Sequence, residues 1–278
     1  MNTGCSQDQT QDKEMLLKFK MSKIKNVFIV MSGKGGVGKT SVAVNLAYAL
    51  SLQNNKVGIL DVDIHGPNIA KMLGIEKDCV VQSEFGIDTI EVTPHLKAMS
   101  LALMGVHPDD PIIWRGPIKG NVIKQFLTEV NWGELDYLII DCPPGTGDET
   151  LSVCQLIPNA AGVVIVTTPQ DVAILDSRKS VLFAKKLGIP VAGVIENMSG
   201  FVCPHCGEKT AIFKEGGGEK AAHDLHVPFL GKIPFEIEIV HSGDTGKPFV
   251  LFEKHTESKK AFLEIVNRII SAKVQALS

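Results

Sequence analysis

Residues 27–41 read VFIVMSGKGGVGKTS, and this stretch decides the fold of the chain. The apolar run from Val27 to Met31 has the character of a buried strand, and an apolar-periodic helix follows the glycines. Glycines let the loop turn its backbone N–H groups inward, where a side chain would block a phosphate. The pattern GxxxxGK[ST] is complete from Gly33 to Thr40, so the sequence predicts a phosphate-binding P-loop.

The P-loop assigns a role in binding Mg²⁺ and ATP to each of its polar residues. We expect the helix to begin near Lys39, so that its positive end contributes to the anion site. Lys39 is predicted to bind the β- and γ-phosphate oxygens, and Thr40 to bind Mg²⁺ through its hydroxyl. The predicted nucleotide-binding residues of the loop are Gly33, Lys34, Gly35, Gly36, Val37, Gly38, Lys39, Thr40 and Ser41.

Two more apolar runs end in aspartates, at 57–61 (VGILD) and at 137–141 (YLIID). Ligands bind at the carboxyl ends of parallel strands, so these acids are expected beside the P-loop. Asp141 has the Walker B position and is predicted to hold Mg²⁺ through its water shell. Asp63 is the candidate to position or activate the attacking water. Asp61 either supports Mg²⁺ and the loop or caps the next helix.

The segment CPPGTGDE after Asp141 is predicted to be a flexible loop of the switch II kind. We expect the backbone N–H of Gly145 to sense the γ-phosphate. A plain structural turn is the alternative.

Strands alternate with helices along the chain, which predicts an α/β fold: a mostly parallel, doubly wound P-loop sheet with helices on both faces. Residues 1–21 are expected to form a mobile polar tail, and 22–278 one ATPase domain. Within that domain, 75–95 suggest a small hairpin or edge excursion, 98–103 a strand and 118–130 a helix.

The composition argues against several classes of protein. The net charge of −3 disfavours a general nucleic-acid partner. No apolar run reaches the ~18 residues of a membrane helix, so we expect no membrane partner. The first twenty residues are polar and lack the apolar core of a secretory signal. The six cysteines are scattered apart from one close pair, which favours a reducing compartment and a cytoplasmic location.

That close pair lies in FVCPHCGEK, in a loop at about 198–210. A CxxC turn can direct the sulfurs of Cys203 and Cys206 at one metal, and Gly207 allows the tight geometry. Tetrahedral zinc and four-iron clusters need four ligands, and the chain has no second CxxC. A two-fold homodimer would supply the missing pair. A redox dithiol, a zinc ion bridging the dimer and two inert cysteines are the alternatives.

A second lysine, Lys34, lies inside the P-loop, too close to Lys39 for both to cover the same phosphate. One of the two is therefore expected to point outward. The motif GKGGVGKT resembles the deviant Walker A motif of the MinD, ParA and nitrogenase iron-protein ATPases. The resemblance implies that Lys34 acts catalytically, reaching across a nucleotide-sandwiched homodimer to the partner's phosphates.

The whole chain is similar to the Mrp/ApbC-type iron–sulfur cluster carrier ATPases over residues 25–250. The motifs that carry this resemblance are GKGGVGKT, DVDIHGPN, WRGP, DCPPGTGDE, TTPQDVA, ENMSGFVCPHCG and KIPF. It implies an ATPase with a labile 4Fe-4S cluster bridging the CxxC pairs of a homodimer, transferred to apo iron–sulfur proteins. It also implies that Asn197 binds adenine and that Pro234 lies in the loop over the base. Cys5 alone cannot supply the N-terminal four-cysteine site of some members, so we expect no second cluster.

Two other functions stay open. An electron-transfer ATPase like the nitrogenase iron protein takes a cluster ligand well after the Walker B aspartate, whereas Cys142 follows Asp141 directly. A positioning ATPase of the MinD or ParA kind, with a dimer-bridging structural zinc, would dock on membrane or DNA. The last helix, with Phe262, Ile265 and Ile269 on its apolar face, lacks the basic polar face of a membrane-docking helix.

Overall fold

The computed structural model describes residues 5–64, 66–84, 86–105, 116–157, 159–203, 205–252 and 256–276. Its helices are α1 Cys5–Ser22, α2 Lys39–Ser51, α3 Ile69–Leu73, α4 Gly116–Glu129, α5 Asp148–Leu156, α6 Asp171–Lys186, α7 Gly217–Asp224, α8 Ile237–Thr245 and α9 Glu257–Ala276, with 3-10 turns at Leu101–Met104 and Phe249–Leu251. Its strands are β1 Val27–Ser32, β2 Val57–Asp61, β3 Gln82–Ser83, β4 Gly86–Ile87, β5 Ile90–Thr93, β6 Leu96–Met99, β7 Tyr137–Asp141, β8 Gly162–Thr167, β9 Val191–Val202, β10 Lys209–Thr210 and β11 Phe229–Phe235.

Over the described ranges, nine strands form one sheet in the order β10-β9-β8-β1-β7-β2-β6-β5, and β11 pairs with β9. The neighbouring pairs β9–β8, β8–β1, β1–β7, β7–β2 and β2–β6 are parallel, and so is the pair β11–β9. The pairs β5–β6 and β9–β10 are antiparallel. Every residue of β1, β2, β7 and β8 is buried, as expected for a parallel sheet with both faces covered. The predicted mostly parallel α/β sheet is confirmed.

Helices cover both faces of the sheet, because alternate residues of each strand point to opposite sides. On β1, Phe28 and Val30 join a core with α2, α3 and α9. Ile29 and Met31 join a second core with α4, α5 and α6. This arrangement confirms the doubly wound prediction. It also brings the carboxyl ends of β1, β2 and β7 together at one edge.

The N-terminal segment is helical where a polar tail was expected. The helix α1 spans Cys5–Ser22, and Leu17 is buried in the second core. The division into a tail at 1–21 and an ATPase domain at 22–278 stays a prediction.

Three further element predictions can be compared with the structure. The β3–β4 hairpin and β5 agree with the excursion at 75–95, and α4 agrees with the predicted helix. The strand expected at 98–103 lies earlier, at Leu96–Met99, because a 3-10 turn begins at Leu101. Trp114 and Arg115 of the WRGP motif lie outside the described residues. None of the helices in the described ranges is long and apolar enough to cross a membrane.

Candidate nucleotide site and cysteine loop

The P-loop joins β1 to α2, and α2 begins at Lys39 as expected. Two of its glycines are required by close packing. A Cβ on Gly33 would lie 2.2 Å from the backbone carbonyl carbon of Asp176 in α6, and a Cβ on Gly38 would lie 2.2 Å from Nδ2 of Asn197. Gly38 also has a positive φ of 82°, which favours glycine. The loop is therefore seated between α6 and β9.

Three predicted nucleotide ligands meet directly beneath the loop. Lys39 Nζ lies 2.6 Å from Asp141 Oδ1, and the Thr40 hydroxyl donates to Asp141 Oδ2 over 2.7 Å. The ion pair is shielded, because the Lys39 side chain is only 7% exposed and Asp141 not at all. Burial raises the pKa of Asp141, an effect that the Lys39 ammonium opposes. Burial alone would lower the pKa of Lys39, but its attraction to Asp141 outweighs this and raises it.

Asp61 lies on the neighbouring strand, in register with Asp141. Its Oδ1 accepts from the Asp63 N–H over 3.0 Å, and its Oδ2 accepts from the Ile69 N–H over 3.2 Å and from the Ser100 hydroxyl over 3.3 Å. Burial and the nearby Asp141 charge raise the pKa of Asp61 to about 8. Since Ile69 begins α3, the geometry favours the interpretation that Asp61 caps this helix and holds the loop before it.

A cavity of about 440 Å³ opens over the P-loop. Lys34, Lys39, Thr40 and Asp63 line it, so these four predicted residues face one space. Asp141 lies behind them, bonded to Lys39 and Thr40. Sequence reasoning missed part of its opposite wall. That wall consists of Asn68, which ends the DVDIHGPN motif, and of Lys71, Met72, Gly243 and Asp244. No local motif signals the last four residues, because α3 and α8 supply them from distant parts of the chain.

A second cavity, of about 210 Å³, shares Gly38, Ser41, Met72 and Gly243 with the first. Asn197 and Pro234, the two predicted base-binding residues, both line it. Its remaining lining residues are Met198, Phe235, Ile239 and Val240. A small apolar pocket with one carboxamide suits a flat heteroaromatic ring. Asn197 Nδ2 donates to the Val37 carbonyl over 2.8 Å, which ties β9 to the P-loop.

The remaining predicted residues lie around these two cavities. The Val37 side chain is buried in the first core, so its carbonyl is the part that faces Asn197. The Gly145 N–H donates to the Ser32 carbonyl over 2.8 Å, and Pro144 lines the cavity in place of Gly145. A contact between Gly145 and the γ-phosphate stays a prediction. Among the ion pairs within the described ranges, none involves Lys34.

The cysteine pair lies in the turn between β9 and β10, an antiparallel hairpin. The Cys203 N–H donates to the Glu208 carbonyl over 3.0 Å, and the Gly207 N–H donates to the Cys203 carbonyl over 2.9 Å. Hydrogen bonds from the backbone N–H groups of Cys206 and His205, and from the Cys206 thiol, lower the pKa of Cys203. Cys203 is half-buried and Cys206 is exposed.

This turn has the character of a metal-binding knuckle. A redox dithiol normally begins a helix, whereas β10 follows Cys206 here, so that alternative is disfavoured. A lowered pKa favours the thiolate form of a cysteine, which is the form that binds iron and zinc. In the part of the chain that the structure describes, no group of three or more His, Cys, Asp or Glu residues could hold a metal ion. The CxxC turn therefore offers two sulfur donors to a metal within these ranges.

The other two described cysteines near the nucleotide site are buried. Cys142 is fully shielded, and burial raises its pKa well above the ordinary value. Burial also raises the pKa of Cys154 to about 11. Buried thiols of this kind are poor ligands for a cluster at a subunit interface, so Cys142 is unsuited to supply the ligand that a nitrogenase-type reductase takes from this region.

Comparisons with known proteins agree with this geometry. Residues 23–270 match the model of the ParA family described as NUBPL iron-transfer P-loop NTPase. The chain is 53% identical over 252 residues to the iron–sulfur cluster carrier protein of Methanocaldococcus jannaschii, which covers 90% of this chain and 86% of that protein. A nucleotide-binding protein from Archaeoglobus fulgidus, solved in complex with ADP, has 36% identity and a TM-score of 0.75, covering 88% of this chain and 98% of that one.

A more distant likeness concerns the fold alone. The cell division ATPase MinD of Pyrococcus furiosus is 22% identical with a TM-score of 0.62, covering 89% of this chain and 99% of that one. The same α/β sheet thus also serves a protein of different function.

Proposed function

The chain belongs to the family of NUBPL iron-transfer P-loop NTPases, and from this premise we propose that it is an ATP-hydrolysing iron–sulfur cluster carrier. Its cargo is a labile four-iron cluster, which it delivers to apo iron–sulfur proteins. The observation that carries the proposal is the knuckle at Cys203 and Cys206, where a thiol of lowered pKa lies in a surface turn.

ATP and Mg²⁺ occupy the larger cavity in this proposal. Lys39 binds the β- and γ-phosphate oxygens, so its ammonium exchanges the carboxylate of Asp141 for phosphate. Thr40 through its hydroxyl and Asp141 through bound water would hold Mg²⁺, which would offset the charge of the phosphates. Asp63, which lines the same cavity, positions the attacking water.

The adenine ring lies in the smaller cavity. Support comes from the position of Asn197 and Pro234 in its wall and from the four residues that both cavities share. The Asn197 carboxamide offers a donor and an acceptor to the edge of the ring. Apolar side chains around Phe235 and Ile239 supply the stacking surface.

The cluster bridges two copies of the chain. One chain supplies two cysteines in the knuckle, and a four-iron cluster takes four thiolates. A two-fold axis beside the loop completes the set with the same pair of the partner. Lys34 lines the phosphate cavity and, in the proposed homodimer, reaches the nucleotide of the partner subunit. A cytoplasmic location and apo iron–sulfur proteins as the recipients stay predictions.

The proposal is tested by anaerobic reconstitution of the full chain with iron and sulfide. Iron and sulfide are counted per dimer, the visible spectrum is recorded, and mass is measured by light scattering. We expect one four-iron cluster per dimer and a brown protein. A colourless protein that takes up zinc alone would support a bridging structural zinc and contradict the carrier function.

A further inference from the structure

One buried carboxylate on β9 is used by neither the nucleotide cavities nor the cysteine pair. The Glu196 side chain is fully shielded from solvent, and its oxygens accept three hydrogen bonds. The backbone N–H groups of Gly216 and Gly218 donate over 2.8 and 2.6 Å, and the Ser199 hydroxyl donates over 2.5 Å. A buried carboxylate is costly unless donors surround it, and every partner of Glu196 is a donor.

These three hydrogen bonds hold the residues at both ends of the segment that carries the cysteines. Ser199 lies at its beginning, and Gly216 and Gly218 lie at its end, where α7 starts. The residues on either side of the segment 200–215, which includes both cysteines, therefore bond to the same side chain. Most described residues from 205 to 215 are exposed. The Phe201 and Phe213 rings contact Phe235, and Lys214 pairs with Asp171.

The glycines at the end of the cysteine segment are tightly packed. A Cβ on Gly217 would lie 2.6 Å from the Pro169 carbonyl oxygen, and a Cβ on Gly218 would lie 3.1 Å from the Glu196 side chain and from Thr167. The carboxylate thus holds α7 against the carboxyl end of β8. This fit leaves a rigid connection at the point where the cysteine segment rejoins the sheet.

The residue that follows Glu196 on β9 contacts the nucleotide site. Asn197 follows Glu196 directly, lines the smaller cavity and donates to the Val37 carbonyl of the P-loop. Neighbouring residues of a strand point to opposite faces, so one residue contacts the P-loop and the next holds the cysteine segment. No flexible linker separates the two contacts.

We propose that Glu196 is a positioning residue that transmits the nucleotide state of the Asn197 pocket to the Cys203–Cys206 turn. The inference rests on the proposed function. When the Asn197 carboxamide exchanges the Val37 carbonyl for the base, β9 shifts locally, and Glu196 carries this shift to both ends of the cysteine segment. A ligand biases a distant site only through such a differential contact.

The test compares the parent with Glu196→Gln, in which an NH₂ group replaces one acceptor oxygen. The cluster-free protein is alkylated with iodoacetamide, with and without Mg²⁺ and a non-hydrolysable ATP analogue at saturation. Mass spectrometry gives the rate at each cysteine. Glu208→Gln is the matched control, since it makes the same charge change on an exposed side chain of the same segment. The exposed Cys79 is an internal reference.

In the parent and in Glu208→Gln, we expect the nucleotide to change the rates at Cys203 and Cys206 severalfold and to leave Cys79 unchanged. In Glu196→Gln we expect nucleotide binding to persist and this change to be lost. If Glu196→Gln fails to fold or to bind nucleotide, Ser199→Ala removes one of the three donors and should weaken the response. A response equal to the parent's in the tested variant overturns the inference, and so does a parent without any response. Iron content after reconstitution then decides separately whether the carrier function stands.

Discussion

The nucleotide site and the cysteine loop are joined by one strand, β9, yet they are built in opposite ways. The nucleotide site is held by buried groups, such as the Lys39–Asp141 ion pair, at the carboxyl ends of parallel strands. The cysteine loop is a surface hairpin whose Cys206 is exposed. A site that must keep its geometry through each round of hydrolysis benefits from a rigid frame. A site that hands its cargo to another protein must be accessible, and two chains can share it.

The largest effect in this comparison is expected from removing a cysteine of the loop. Cys203→Ala should abolish cluster binding, because the proposed dimer would retain two of the four thiolates that a four-iron cluster needs. The nucleotide site should stay folded, since no described contact of Cys203 reaches it. Iron counting after reconstitution and calorimetry with Mg²⁺ and ATP measure the two properties separately. Cys79→Ala, at another exposed cysteine, is the control. A Cys203→Ala protein with the parent's iron content would show that the loop is not the cluster site.

A substitution in the buried nucleotide site should weaken ATP binding and leave cluster binding intact. Lys39→Ala removes a charge-assisted phosphate contact worth about 1.5–3 kcal/mol, so Mg²⁺-ATP affinity should fall about 10- to 100-fold. It also leaves the buried Asp141 without its cation, which should lower the melting temperature. Cluster reconstitution should persist, because the knuckle is separate. Calorimetry gives the affinity, and Lys179→Ala, at an exposed lysine of α6, is the control. Unchanged affinity in Lys39→Ala would contradict the P-loop assignment.

A smaller effect should appear where the two sites are coupled. Lys34→Ala should keep binding by Lys39 but lose the effect of ATP on cluster transfer, because no lysine then reaches the partner's phosphates. Asp63→Asn should bind ATP and hydrolyse it slowly, which prolongs the ATP-bound dimer. Transfer of the cluster to an apo-ferredoxin is timed with and without ATP for the parent and both variants. Equal rates in all conditions would show that the sites are independent.

The smallest effects come from one substitution made in each region. Gly33→Ala places a Cβ 2.2 Å from the backbone of α6, and such overpacking costs about 1–3 kcal/mol. In Gly207→Ala the new Cβ has no atom of the described residues within 4 Å, and the positive φ of 72° costs about 1 kcal/mol. Thermal melts of the cluster-free protein should therefore show a larger loss for Gly33→Ala. The reverse order would contradict the contrast between a rigid and an open site.

Much of the nucleotide site could be predicted from sequence because its determinants are local. The P-loop pattern, the aspartates that end β2 and β7 and the alternation of strands with helices are each readable within a few residues. The helix α1 was missed, since its sequence has little apolar periodicity; Leu17 and Met21 pack it against the core. The wall formed by Lys71 and Asp244 was missed because folding brings α3 and α8 together.

The amino-acid sequence by itself determined the fold class, the phosphate loop and the pair of cysteines, because each depends on residue types at fixed spacing. The tertiary structure decided how those parts are joined. It placed Asn197 against the P-loop and the Glu196 carboxylate under both ends of the cysteine segment. It also assigned Asp61 to the start of α3. The physical reason is that a hydrogen bond between residues far apart in sequence forms only when the sheet has set the distance between them.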